Sequence, residues 1–308
     1  GCGGRATGGD TGMAIGSHKG TAAMKPCLPP LESVPAPSWR APALACDCHF
    51  HIFGPYDRFP LGAGRHYDPA AALIPAYLRV AEALGIGRMV IVQPSVYGTD
   101  NACALDAAAR FGPDRARVVA VVDDSFDDAA LRALHAQGVR GVRFNAVSGN
   151  GTPLDQLEVL ARRIAPLDWH LQLYATGDAL AALAPKLAEL PVEVVVDHMG
   201  GVRTADGING AGFQALLRLL EGGRAWVKLC GYRISSAGPP FRDVAPFARA
   251  LLDAAPDRCV WGTDWPHPSL SEWMPEDGAL FDLLGEWAPG EAERRRVLVD
   301  NPARLYGF

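Results

Sequence analysis

From Leu44 to the C-terminus, two apolar patterns alternate along the chain. One is a run of four to six residues, largely β-branched or otherwise apolar, which suits a strand covered on both faces. The other is a longer stretch with apolar positions three and four apart, which suits an amphipathic helix. The short runs predict strands at Ala45–Phe50, Met89–Gln93, Val118–Val122, Gly141–Phe144, His170–Tyr174, Val192–Asp197, Trp226–Leu229 and Cys259–Gly262. The longer stretches predict helices at Ala70–Leu84, Asn101–Arg110, Asp127–Gln137, Leu154–Ile164, Gly177–Leu190, Gly212–Leu220, Val244–Ala254 and Glu291–Val299. Strands alternating with helices in this way predict an α/β protein built as a (β/α)8 barrel. A doubly wound sheet is the alternative. It would place a glycine-rich phosphate-binding turn after the first strand, and Gly62, Gly64 and the N-terminal glycines lack that context.

The pattern fades before Leu44. Residues 1–24 are rich in Gly, Ala and Thr and have no periodicity, with Met13 and Met24 as candidate starts. Six prolines between residues 26 and 42 favour an extended arm. The expected organisation is an extension or appended linker over 1–43, lacking order, followed by a barrel over 44–308. No apolar core of the secretory kind opens the chain.

Bulk composition narrows the classes. Of the 308 residues, 49% are hydrophobic and 20% charged, as in ordinary globular proteins. A net charge of -5 argues against a nucleic-acid partner, which calls for a basic footprint, but leaves room for a local basic pocket. No apolar run reaches the length of a bilayer span, so no membrane partner is expected. Seven scattered cysteines do not form a disulfide framework, and no second pair stands near Cys46 and Cys48 to make a zinc knuckle. Reduced core cysteines and a cytoplasmic setting are expected. The oligomeric state is not legible.

Candidate chemistry sits at the ends of the strands, where a barrel carries its active site. His49 and His51 are two apart on the first strand and share a face; Asp47 has the same parity, deeper along the strand. His198 follows the sixth strand, and Asp264 follows the eighth, ahead of Trp265-Pro266. Three neutral imidazoles and one carboxylate can hold a divalent ion or position a water against a carbonyl. Arg143, near the end of the fourth strand, and Arg233, after the seventh, suit a substrate carboxylate or else a structural ion pair or loop brace. Tyr174 ends the fifth strand and can donate to a carbonyl or carboxylate. Gln93, Tyr97, Asn101 and Asn145 add polar reach or merely brace loops. Lys228 stands on an apolar strand, either as an amine nucleophile or, more simply, as a side chain that pairs with a buried acid or reaches the barrel end. Tyr56, Arg58 and Tyr67, and the glycine-rich loop Met199–Phe213, are positioned to cover the mouth.

Five segments together resemble the amidohydrolase superfamily, in the branch of 2-pyrone-4,6-dicarboxylate lactonase. They are Cys46–Pro55, Gly138–Asn145, Val194–Gly200, Trp261–Pro268 and Leu298–Tyr306, and the likeness spans about residues 45–307. The resemblance implies a distorted TIM barrel and hydrolysis of a small anionic lactone, commonly one bearing carboxylates. It implies chemistry without a bound divalent metal, so no cofactor is favoured, with an ion such as zinc as the alternative. Asp264 would activate water and later protonate the leaving oxygen. His49, His51 and His198 would polarise the carbonyl, Tyr174 would assist binding, and Arg143 and Arg233 would engage carboxylates, with Tyr97 and Asn145 beside them. Two departures stand out. The stretch Asn145–Gly151 offers no counterpart of a further substrate-binding arginine, and Tyr97 stands where the lactonase uses a histidine.

Three rivals remain. A metal-dependent amidohydrolase or decarboxylase would use His49, His51, His198 and Asp264 as ligands. Tyr174 stands where many binuclear relatives have histidine, and no carboxylated-lysine position is evident. A sugar-acid lactone isomerase needs similar acid–base control. A noncatalytic carboxylate-binding barrel would bind without turnover.

Overall fold

A computed structural model describes Met24 and residues 26–308. The readings for residues 1–23, Met13 as a start among them, lie outside the described residues. Eight parallel strands follow one another in chain order: β1 Cys46–Phe50, β2 Arg88–Val92, β3 Ala116–Ala120, β4 Val139–Asn145, β5 His170–Tyr174, β6 Val194–Val196, β7 Ala225–Leu229 and β8 Cys259–Trp261. The sheet comes round on itself where Asp264 N donates to His49 O and His51 N to Trp265 O, both at 2.8 Å. The ladder there runs past the end of β8 into its following loop, which distorts the (β/α)8 barrel.

The helices between strands are α1 Ile74–Leu84, α2 Ala102–Phe111, α3 Asp128–Ala136, α4 Leu157–Ile164, α5 Gly177–Ala188, α6 Ala211–Glu221 and α7 Ala245–Ala254. α1 starts four residues later than its apolar pattern suggests. Ala72 is held instead by a reciprocal backbone pair with Phe53, at 2.9 Å each way, and Pro75 fits the first helical turn. A helix not anticipated from the sequence, α8 Asp277–Trp287, follows β8. The expected final helix is broken into α9 Glu291–Arg295, a π-helical turn Arg296–Asp300 and α10 Asn301–Tyr306.

Strand parity sorts the core into two layers. Cys46, Cys48, Val90, Val92, Val119, Val195, Trp226 and Val260 cluster with Leu305 and Tyr306, filling the barrel below its polar end. Their neighbours along the strands, such as Ile91, Val118, Val142, Leu171 and Val227, pack under the helices. The six described cysteines are free. Among the described residues, no helix is long and apolar enough to cross a membrane.

The arm before Leu44 packs from residue 26 onward, earlier than the proline-rich composition suggests. Cys27 N donates to Asp68 O at 3.0 Å and Leu28 N to Leu270 O at 2.9 Å. Trp39 stacks on Phe281 of α8 with ring centroids 4.1 Å apart, and its Nε1 donates to Phe281 O at 3.2 Å.

Candidate active site

The site begins with an irregularity in β1. Asp47 pairs with Met89 and Phe50 with Ile91, so three steps on β1 match two on β2. One extra residue in a strand reverses the facing of the residues after it. Asp47 and Phe50 therefore share the outer face, where both meet Tyr77 of α1. The Tyr77 hydroxyl donates to Asp47 Oδ2 at 3.0 Å, and Phe50 stacks on the Tyr77 ring at 3.6 Å. The common facing expected for Asp47 and the two histidines is thus corrected: the bulge separates them. Asp47 ties β1 to the end of β8, accepting from Thr263 N at 3.0 Å and Thr263 Oγ1 at 2.7 Å. Burial pushes its carboxyl up to about 6 despite those donors.

His49 and His51 turn into the barrel mouth, ring centroids 5.1 Å apart. His51 Nδ1 lies 2.7 Å from Val92 O, which only accepts, so Nδ1 carries the ring proton. Its Nε2 then faces Asp264 Oδ1 at 3.5 Å, and His49 Nε2 faces the same oxygen at 3.5 Å. Left-handed backbone at His198, Met199 and Gly200 (φ 47°, 52° and 82°) ends β6 in a tight turn. It sets the His198 ring 4.8 Å from that of His49 and 4.5 Å from that of Tyr174.

Asp264 is also left-handed, at φ 60°, a conformation that a non-glycine residue adopts where the surroundings impose it. Its two oxygens differ. Oδ2 accepts from Tyr232 Oη at 2.6 Å and Arg233 Nε at 2.5 Å. Oδ1 is buried and has no hydrogen-bond partner among the described residues. Burial alone would raise this carboxyl; the Arg233 guanidinium outweighs it and holds the group well below the usual range. Burial lowers His51, and lowers His198 to about 4. Burial and then Lys228 lower His49. The imidazoles are neutral near pH 7.

Beneath them lies a buried polar network. Asp197 accepts from Arg143 Nε at 3.1 Å and Gln172 Nε2 at 3.0 Å. Lys228 Nζ lies 2.8 Å from Cys48 O, 2.8 Å from Gln172 Oε1, 3.1 Å from His49 Nδ1 and 3.7 Å from Asp197 Oδ1. Lys228 is thus enclosed by acceptors, its simpler sequence reading.

A cavity of about 90 Å³ opens above, lined by His51, Arg143, Asn145, Tyr174, His198, Arg233 and Asp264, with Tyr67 at its wall. The structure brings these together. It sets Tyr97 apart: its hydroxyl accepts from Gly54 N at 2.9 Å and donates to Phe59 O at 3.2 Å, bracing the loop after β1. Asn145 lines the cavity, yet its Oδ1 is taken by Val147 N and Ser148 N at 3.1 and 3.0 Å. Gln93 and Asn101 brace backbone around the loop after β2. Arg233, expected on a substrate carboxylate, is held by Asp264 and by Pro268 O at 2.8 Å. Sequence reading missed Tyr232 and Gln172. Their signals were adjacency to Arg233 and the two-residue step from Tyr174 along β5.

Donor atoms of His49, His198 and Asp264 lie within 4.8 Å of one another, a spacing that suits one divalent ion. The surrounding charge does not suit it. A guanidinium occupies Asp264 Oδ2, and an ammonium lies against His49. No cofactor is favoured by this donor set, although its spacing keeps a divalent ion as the alternative.

Known proteins resemble the chain over most of its length. A 2-pyrone-4,6-dicarboxylate hydrolase from Comamonas testosteroni is 42% identical over 282 residues, covering 88% of this chain and 92% of that one. A 4-sulfomuconolactone hydrolase from Hydrogenophaga intermedia is 38% identical over 290 residues, covering 91% and 94%. The crystal structure of a probable 2-pyrone-4,6-dicarboxylic acid hydrolase from Acinetobacter baumannii, with citric acid bound, superposes with a TM-score of 0.76. It is 28% identical and covers 86% of this chain and 100% of that one. The amidohydrolase family model matches residues 46–308, from the first residue of β1 to the C-terminus, and with these relatives it establishes that the chain belongs to the amidohydrolase family.

Proposed function

We propose that this protein is a lactonase that opens a small carboxylate-bearing lactone with water activated by Asp264. The observation that carries the reading is the free Oδ1 of Asp264: buried, unpartnered, and faced by two imidazole nitrogens at 3.5 Å. At 3.5 Å these contacts do not close into hydrogen bonds, so Oδ1 keeps its capacity to accept from a group bound in the cavity. The hydrolase relatives, named for a pyrone dicarboxylate and a sulfomuconolactone, support a lactone carrying an anionic group.

In the reaction, a water gives its proton to Asp264 Oδ1 as its oxygen bonds to the lactone carbonyl carbon. Negative charge develops on the carbonyl oxygen and is met by imidazole hydrogen bonds. The ring C–O bond then breaks, and the proton held by Asp264 passes to the departing ring oxygen. The product is the open acid, one water heavier. Arg143 and Arg233 orient the substrate's carboxylate, and Tyr174 donates to it. A carboxylate that draws the guanidinium of Arg233 toward itself weakens the hold on Oδ2 and makes Asp264 a stronger base as the substrate binds. The catalytic unit is the barrel, residues 44–308. Free cysteines favour a reducing, cytoplasmic setting, and a net charge of -5 speaks against a nucleic-acid partner.

The test is turnover of a lactone panel followed by mass analysis, with and without a chelator. Opened acids gaining one water are expected, and Asp264→Asn should lower kcat by roughly 10²–10⁴-fold with the circular dichroism unchanged. A product of unchanged mass would instead mean isomerisation. Binding without turnover would mean a carboxylate-binding barrel. Near-normal hydrolysis by the Asn variant would remove Asp264 from its role, and loss of activity on chelation would favour the metal-dependent rival.

A further inference from the structure

The proposed reaction makes no direct use of Lys228, yet this side chain is fully buried inside the barrel against a reacting imidazole. An ammonium has three N–H bonds and no lone pair. Two of them have fixed destinations. The Cys48 carbonyl, at 2.8 Å, can only accept. Gln172 presents its carbonyl oxygen at 2.8 Å, because its amide nitrogen is committed to Asp197 Oδ2 at 3.0 Å. The third N–H is left for His49 Nδ1 at 3.1 Å, and that nitrogen must therefore offer a lone pair. A neutral imidazole that accepts at Nδ1 carries its proton at Nε2.

The competing arrangement has Nδ1–H donating to Asp197 Oδ1. That contact is 3.5 Å and makes no hydrogen bond, for Asp197 Oδ1 is left without a partner among the described residues. It would also set an imidazole N–H against an ammonium N–H. The hydrogen bonds therefore favour the first arrangement.

We propose that Lys228 is a positioning residue that locks His49 in its Nε2–H tautomer, making His49 a hydrogen-bond donor to the reacting oxygen and not a metal ligand. His51 holds the opposite tautomer, since its Nδ1 proton is fixed on Val92 O. The two imidazoles that face Asp264 Oδ1 at 3.5 Å are thus unlike. His49 presents a proton and suits the carbonyl oxygen as charge develops there. His51 presents a lone pair and suits a hydrogen of the attacking water. A metal bound through His49 Nε2 would need a lone pair where this arrangement puts a proton. The catalytic consequence rests on the proposed lactone hydrolysis; the tautomer belongs to the resting protein.

The test is a long-range ¹H–¹⁵N correlation spectrum of the full chain labelled at histidine, with the His49 signals identified by their loss in His49→Gln. The wild type is expected to show His49 unprotonated at Nδ1 and protonated at Nε2. Lys228→Met should move the proton to Nδ1 or mix the two forms, while Lys228→Arg keeps the wild-type pattern. Zinc titration by calorimetry should show no stoichiometric binding to the wild type and at least roughly tenfold tighter binding to Lys228→Met, a gain that general damage to the fold would not give. In turnover, Lys228→Met should lose roughly 10–100-fold in kcat with little change in KM. A wild-type His49 protonated at Nδ1 overturns the proposal, and this measurement stands even if Lys228→Met does not fold. An unchanged pattern in a folded Lys228→Met overturns it as well. Failure of the lactonase reading would leave the tautomer pattern intact, so the two are separable.

Discussion

The two oxygens of Asp264 illustrate how much chemistry is settled at the scale of one residue. Arg233 and Tyr232 occupy one oxygen, and the other faces the cavity beside His49 and His51. Asp243 is the contrasting case, a carboxylate with both oxygens committed. It accepts from Ser235 Oγ at 2.6 Å, from Ser236 N at 2.9 Å, from Ala237 N at 3.1 Å and from the Thr204 hydroxyl. Its slight burial works against the charge, but these donors outweigh it and lower the carboxyl to about 2. A depressed folded value means that the ionised group stabilises the fold above its ordinary pKa and loses that effect as pH falls through about 2. Allowing for solvent screening, the contribution is roughly 1–2 kcal/mol. Asp243→Asn should lose about that much in urea unfolding at pH 7. Its deficit should shrink as the pH is taken from 4 toward 2; a deficit constant with pH would refute the charge argument. His49, His51, His198 and Asp264 were legible because each stands at a strand end in a barrel pattern. Tyr232 and Gln172 were not, because a neutral polar side chain announces no role until its partner from another strand is known.

At the scale of elements, the bulge in β1 and the seam with β8 decide where the histidines point. A side chain at Gly262 would place its Cβ 2.6 Å from His49 Cβ and 2.8 Å from His49 N, so only glycine lets the two strands come this close. Gly262→Ala should therefore cost roughly 1–3 kcal/mol in chemical denaturation and reduce turnover through displacement of His49. Wild-type stability with wild-type kcat would show that the seam yields freely. The unanticipated helix α8 has a related cause. Gly278 and Gly285 lie inside it, and each internal glycine costs about 1 kcal/mol relative to alanine, so local propensity speaks against a helix there. Tertiary contact explains both. Gly278 accommodates the Pro35 carbonyl, and a Cβ on Gly285 would come 2.6 Å from Trp39 Nε1. All eight strands were legible because burial on both faces demands uninterrupted apolar runs, although β3 and β4 begin two residues before the expected Val118 and Gly141.

For the whole molecule, the arm over residues 26–43 ties the start of the barrel to its closing helices. Its prolines suggested an extended linker, and extended it is, but it lies against α8 with Trp39 as the anchor. Arg294 adds to the contact, its guanidinium 4.9 Å from the Trp39 ring. Truncating a half-buried tryptophan of this kind should cost roughly 2 kcal/mol. Trp39→Ala should lower the urea midpoint with an unchanged m value, because the same barrel still unfolds as a unit. An unchanged midpoint would mean that the arm contributes nothing to stability.

Sequence alone determined the barrel, the order of its strands and the strand ends that meet at the candidate site. Apolar periodicity is a local property, and the fold class follows from its alternation. The segments at the strand ends, not the periodicity, carried the resemblance that the family match bears out. The tertiary structure alone decided which way Asp47 faces, which oxygen of Asp264 is free, and that Lys228 lies against His49 rather than reaching the mouth. Those outcomes depend on one extra residue in β1 and on hydrogen-bond partners drawn from strands far apart in the chain. Spacing along a sequence does not carry that information, because a donor and its acceptor are chosen in space.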